Sequence, residues 1–111
     1  MSQSKESRCR TNMKNNAQRR AERQGVYCSL RREDVVIPER CPVCERKLNL
    51  GNGEITNRPC LDLIIPGKPY TGNNVWVLCH TCDRRKADST PQELRELATF
   101  VYQAVVDRGL L

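Results

Sequence analysis

The order of apolar and polar positions divides the 111-residue chain into a few short elements. From Lys5 to Gln24 there is no Pro or Gly, and Met13, Ala17 and Ala21 recur at helical spacing. This predicts a polar helix with a thin apolar stripe, weakly docked, frayed before about Asn12 and ended by Gly25. Val35-Val36-Ile37 is a short β-branched run stopped by Pro38, and Asn49 to Asn57, with Gly51 and Gly53, reads as a loop. Cys60 to Ile65 is the first convincing strand, broken by Pro66-Gly67-Lys68-Pro69. Thr71 to Asn74 is turn chemistry, and Val75 to Leu78 is a second strand that can pair antiparallel with the first. Asp83 to Ala87 has helical composition. A last helix starts with Thr90 as N-cap, Pro91 in the first position and Glu93 completing a capping box. Leu94, Leu97, Ala98, Val101 and Val105 predict its buried face, and Gly109 its stop.

Composition narrows the class. Hydrophobic residues are 38% of the chain, with one Trp, one Phe and three Tyr. So small a core often needs a metal or disulfides. No apolar run approaches the ~20 residues that span a bilayer, so no membrane partner is expected. The start lacks the charged-then-apolar pattern of a secretory signal, so the expectation is a cytoplasmic protein. Seven Cys there argue against a disulfide scaffold, and an odd number leaves one unpaired.

Charge is segregated. Residues 1–32 hold nine Lys/Arg and two Glu, a net of +7, whereas residues 33–111 sum to −1. The reading is therefore a basic N-terminal arm over 1–32 and a second unit over 33–108. A positive field of this kind draws in polyanions, which makes Arg19, Arg20 and Arg23 candidates for nucleic-acid contact. A solvated, solubilising arm is the alternative.

Two Cys-x-x-Cys pairs, Cys41/Cys44 and Cys79/Cys82, carry the strongest chemical signal. Four thiolates suit the tetrahedral preference of Zn²⁺, and each pair can turn its sulfurs inward on a tight knuckle. The 34 residues between the pairs contain both strands and their loop. Zinc would staple the first knuckle to the end of the second strand and close a long loop over a marginal core. Buried free thiols or two redox pairs are the alternative. Cys28 and Cys60 read as small core residues, and Cys9 as an exposed thiol.

A zinc saturated by four ligands does no chemistry. Asp62 and Asp83 are the candidates for a reactive site, because a strand–loop–strand folding onto a helix can bring them together beside the zinc corner. Two such carboxylates could hold Mg²⁺ or Mn²⁺. The bland alternatives are a loop-capping residue for Asp62 and a helix N-terminal carboxylate for Asp83. Arg84, Arg85 and Lys86 follow on the same helix and could reach phosphate oxygens or simply form a solvated face. His80 is the one His and adjoins a zinc ligand.

The string Cys60-Leu-Asp-Leu-Ile-Ile-Pro-Gly-Lys-Pro-Tyr-Thr-Gly-Asn-Asn-Val-Trp-Val-Leu-Cys79, followed by Cys82-Asp-Arg-Arg-Lys-Ala-Asp-Ser-Thr-Pro-Gln-Glu-Leu94, resembles the HNH, or ββα-metal, endonucleases. It looks most like a phage-encoded group with an endonuclease-VII-like active-site unit. The basic helix ending in Gly, Ile37-Pro38-Glu39 and Cys41-Pro42-Val43 extend the likeness upstream. The resemblance implies an α+β fold: a zinc-stapled ββα unit with an N-terminal basic helix and a C-terminal helix packed across it. It also implies a metal-dependent DNA endonuclease acting in a host cytoplasm. Asp62 would be the first ligand of the catalytic cation, Asp83 the second, and Asn74 the residue that shapes the loop. Lys86 would contact the DNA backbone. Active members carry a His base directly after the first ligand, where this chain has Leu63. Losing a general base removes ~10²–10⁴-fold of rate. The alternative is a catalytically silent zinc module that binds DNA or protein, and a third reading is a phage assembly component with packaging proteins as partners.

Overall fold

The computed structural model describes residues 4–51 and 54–110. Asn52 and Gly53 of the anticipated loop, and the first three residues of the anticipated arm, lie outside that range. The fold is a small α+β arrangement of one two-stranded sheet and three helices. In chain order these are α1 (Lys5–Gln24), β1 (Pro59–Leu63), β2 (Val75–Cys79), α2 (His80–Lys86) and α3 (Pro91–Asp107).

α1 is helical from its first turn. The Ser4 hydroxyl accepts the Ser7 amide at 3.1 Å, and Glu6 pairs with Arg10 one turn on at 2.7 Å. The Arg32 guanidinium donates to Ser7 Oγ at 2.9 Å and ties this end down, so the fraying expected before Asn12 does not occur. Gly25 closes the helix at φ 68°, and the Val26 amide returns to the Ala21 carbonyl at 3.0 Å. Only glycine adopts that left-handed geometry without steric cost. The thin stripe docks fully. Ala17 and Ala21 are buried against Leu30, Tyr70 and Val75, because side chains this small let the helix backbone sit close to its neighbours.

The β-branched run Val35–Ile37 is not in a strand. Asp34 accepts the Arg31 amide at 2.9 Å and closes a tight turn over Arg32–Asp34. The turn aims Val35 into the core and leaves Val36 67% exposed. β1 and β2 pair antiparallel, with Asp62 opposite Trp76 and Leu63 opposite Val75. β1 stops at Leu63, short of the expected Ile65, because Asn74 captures the next backbone. Its carbonyl takes the Ile64 amide and its side-chain oxygen the Ile65 amide, both at 2.9 Å.

The core has two parts. Val35, Leu48, Val77, Leu78 and three of the paired cysteines form one. The other joins Ala17, Ala21 and Leu30 to Tyr70 and Val75, with Leu61 packed against both parts. A short parallel bridge joins Cys28 to Tyr70 and fastens the basic segment to the inter-strand loop. Its hydrogen bonds are Tyr70 N to Tyr27 O at 2.9 Å and Ser29 N to Tyr70 O at 3.0 Å.

α3 begins as its sequence anticipates, with reciprocal Thr90–Glu93 capping bonds of 3.1 and 2.8 Å. It does not pack across the ββα unit. None of its residues is buried, and Leu97 and Val101 of the anticipated buried face are 62% and 49% exposed. The break at Asp88–Ser89 sets it off from α2, and the molecule is correspondingly long, 59 × 33 × 19 Å. Among the described residues, no helix is long and apolar enough to cross a membrane.

Candidate metal centre and acid cleft

The four paired cysteines converge. Their sulfurs all lie within 4.8 Å of one another, and Cys44 Sγ is 3.7 Å from Cys79 Sγ. A tetrahedron with Zn–S bonds of about 2.3 Å has edges of about 3.8 Å, so the spacing fits Zn²⁺. The first knuckle is shaped by backbone bonds from Cys41 N to Arg46 O at 2.8 Å and from Glu45 N to Cys41 O at 2.9 Å. Glu45 takes φ 63° to close it. The second pair sits where β2 passes into α2, which points both sulfurs the same way.

Amide groups support the sulfurs. Cys79 N donates to Cys41 Sγ at 3.4 Å, and Cys82 N to Cys79 Sγ at 3.3 Å. Burial opposes charge on Cys41, but the amides of Cys44, Cys79 and Val43 outweigh it and bring that thiol down to about 6. Cys82 is pushed up to about 12 by burial and by the sulfurs around it. Four thiolates in one corner therefore need a cation to be held together. The cluster could hold a metal ion, consistent with structural zinc.

The remaining cysteines differ from expectation in degree. Cys9 is half-buried, and burial followed by Glu6 raises its thiol. Cys28 and Cys60 sit at the margin of the core and are also half-buried. Cys60, pushed up to about 11 mainly by burial, lies 3.8 Å from His80 Nδ1. His80 is thereby engaged at the start of α2, where its own amide donates to Arg58 O at 2.9 Å.

The two acids come together as well. Asp62 projects from β1 and Asp83 from the first turn of α2, and both line a cleft of about 770 Å³. Asp83 is raised above the usual carboxylate range by burial, then by the charge of Asp62 and a hydrogen bond to it; His80 and Arg20 pull it back. Two carboxyl groups in such contact repel unless a proton or a cation lies between them. Asp62 is held from behind. Its Oδ2 accepts Trp76 Nε1 at 2.8 Å and pairs with Lys86 Nζ at 3.1 Å, and Lys86 also donates to Leu63 O at 2.8 Å.

The Lys86 side chain is 10% exposed and is engaged by Asp62. The antiparallel register explains the Trp76 contact, because Trp76 is the residue opposite Asp62. Asn74 touches loop backbone, donating to Ile65 O and Pro69 O at 3.2 Å each, and fixes the loop that follows Asp62. It is a positioning residue and does not line the cleft.

The basic candidates separate. Arg20 lines the acid cleft, with its guanidinium 6.0 Å from the Tyr70 ring centre, and Arg84 lines it too. Arg85 points to a different, apolar groove, while Arg19 and Arg23 are exposed on α1. Tyr70 escaped the sequence reading because its role depends on pairing with residues more than forty positions away. Among the described residues, the four cysteines are the one set of three or more His, Cys, Asp and Glu ligands that converge; Asp62 and Asp83 form a pair. No family profile, curated protein or solved structure matches the chain.

Proposed function

We propose that the protein is a metal-dependent endonuclease of the HNH type that hydrolyses DNA phosphodiester bonds. The observation that carries this reading is that Asp62 and Asp83 line one cleft, with Asp83 directly following the last of the four converging cysteines. Two strands and one short helix deliver the acids to a single open cleft. Their donor set fits a hard divalent cation such as Mg²⁺ or Mn²⁺, which prefers carboxylate oxygens and keeps waters and phosphate oxygens in its other positions. Such a cation would polarise the scissile phosphate and stabilise the leaving oxyanion.

The chain's own groups supply the rest. Trp76 and Lys86 both hold Asp62 through Oδ2, and Asp62 lines the cleft. Arg20 and Arg84 flank the acids, where guanidinium groups grip phosphate in two-pronged fashion. Arg19 and Arg23 extend the positive surface along α1 for the neighbouring phosphates. The cysteine centre holds the end of β2 and the start of α2, and with them Asp83, in place.

Leu63 stands where a proton acceptor is expected, and no His lines the cleft among the described residues. Turnover is therefore expected to be slow. The test is plasmid cleavage by the zinc-loaded protein with added Mg²⁺ or Mn²⁺. Cleavage is expected to disappear in Asp62→Ala and Asp83→Ala, and Leu63→His is expected to accelerate it ~10²-fold or more. Equal cutting by the Asp62→Ala protein would refute the assignment. Leu63 favours a second reading, a silent zinc module that binds DNA or a protein partner, including phage packaging proteins. That reading requires salt-dependent DNA or partner binding with no cleavage under either metal.

A further inference from the structure

The outward face of α1 differs from the rest of the surface. At ~100° per residue, positions 8, 12, 16, 19 and 23 fall within about 80° of arc, opposite the buried Ala17 and Ala21. They are Arg8, Asn12, Asn16, Arg19 and Arg23, and all five are exposed. At ~1.5 Å per residue the stripe is about 22 Å long. Among the described residues none of its three arginines pairs with an acid, and Glu22 lies only at its margin. No apolar side chain interrupts it.

The asparagines are its informative members. Asn is a poor helix former because its amide competes with the backbone for hydrogen bonds, and it belongs at caps and turns. Asn12 and Asn16 stand inside a 20-residue helix and cap neither end. Among the described residues Asn12 makes no side-chain hydrogen bond, and Asn16 accepts one, from Arg19 Nη1 at 3.3 Å. That leaves Asn16 one lone pair and both amide hydrogens. Two amides, each offering an acceptor beside a donor, therefore stand one helical turn apart among arginines.

We infer that α1 enters the major groove of duplex DNA, with Asn12 and Asn16 reading base edges and Arg8, Arg19 and Arg23 holding phosphates of the groove walls. This rests on the DNA reading above and adds sequence recognition to it. The groove is about 12 Å wide and admits one helix, and an Asn amide matches adenine there, accepting from N6 and donating to N7. A-form RNA offers no such entry, because its major groove is deep and narrow. A membrane surface requires apolar side chains on the facing arc, which this one lacks. The stripe also adjoins the acid cleft. Arg20, next to Arg19, and Gln24, next to Arg23, line that cleft, so a duplex seated on α1 has its backbone beside Asp62 and Asp83.

Selection of bound duplexes from a randomised DNA library is the test, with the zinc-loaded full chain and no added Mg²⁺ or Mn²⁺. The expected result is a short enriched sequence containing adenine, bound more tightly than a scrambled duplex by about 5–150-fold per base contact. Asn12→Ala combined with Asn16→Ala is expected to remove that preference. Ala is the better helix former, so zinc content and helical circular dichroism are expected to hold. Arg8→Ala is expected to weaken binding of both duplexes alike and to reduce the salt slope by about one. Enrichment of no sequence overturns the inference. So does a preference that the paired Ala variant keeps, or one found in RNA and not in duplex DNA. Plasmid cleavage with Mg²⁺ separates the two claims. A protein that selects a sequence and never cuts loses the nuclease reading alone, and one that cuts without preference loses this inference alone.

Discussion

Lys86 shows how one side chain can serve a site without facing its ligand. Its ammonium lies 3.1 Å from Asp62 and 2.8 Å from the Leu63 carbonyl, and both Lys86 and Asp62 side chains are about nine-tenths buried. Removing one member of such a pair leaves the other charge buried without a counter-charge, which costs roughly 3–5 kcal/mol. Here the cost is compounded by Asp83, a second acid against the first. Lys86→Met is therefore expected to lower the unfolding free energy of the zinc-loaded protein by about that amount. Urea denaturation measures it. Adding Asp62→Asn to Lys86→Met is expected to restore a large part of the loss, because the unpaired charge is gone. A loss in the double variant equal to the sum of the two single losses would show that the pair is not coupled. The sequence places Lys86 on the same short helix as Asp83, but not which way its four-carbon stem turns. That direction depends on Asp62, which arrives from a strand more than twenty residues earlier, so the contact is invisible to local pattern.

At the scale of elements, local signals and packing signals fared differently. The ends of α1 and α3 were legible because caps are local chemistry: Gly25, Thr90, Pro91 and Glu93 each act within one turn. The β-branched run Val35–Ile37 forms no strand, because the Arg32–Asp34 turn before it aims Val35 into the core and leaves Val36 exposed. The apolar spacing of α3 predicts a buried face, yet Leu97 and Val101 are exposed, because spacing marks an apolar face without saying what packs on it. The α3 cap also gives a pH dependence. The Thr90 amide and then the Thr90 hydroxyl hold the fully exposed Glu93 carboxylate below its ordinary range. A carboxylate depressed in the folded helix stabilises it above the ordinary carboxylate pKa, and that contribution is lost as pH falls through the lowered value. The Thr90 amide resonance is expected to titrate with a midpoint below that of an unstructured Glu and to stop responding in Glu93→Gln. A midpoint at or above the ordinary value would mean the capping box does not form in solution.

For the whole molecule the decisive question is what holds so small a core together. Three of the seven buried residues around β2 are the paired cysteines themselves, so the sulfurs form part of the core as well as a metal site. Stripping the metal would leave thiols packed against one another at van der Waals distance, with the Cys41 amide donors favouring a charge that nothing balances. The rest of the interior is modest: two alanines, Leu30, Tyr70 and Val75 on the α1 side. Since structural zinc commonly supplies the greater part of the folding free energy of a domain like this, removing it is expected to abolish cooperative unfolding altogether. The purified protein should carry one zinc per chain by elemental analysis. A strong chelator should collapse the near-ultraviolet circular dichroism of Trp76, the one indole of the chain, which sits on β2 against Asp62. α3 makes few contacts with this core, so its loss of structure should be partial and should follow its own temperature dependence, as for a marginal isolated helix. Cys44→Ser tests the same point without chelator, since Cys44 is the exposed member of the four and its hydroxyl replacement disturbs packing least. If that variant, or the stripped protein, keeps a sharp thermal transition and an unchanged Trp76 signal, the four sulfurs are ordinary core residues, and the alignment of Asp62 with Asp83 must be maintained by the sheet alone.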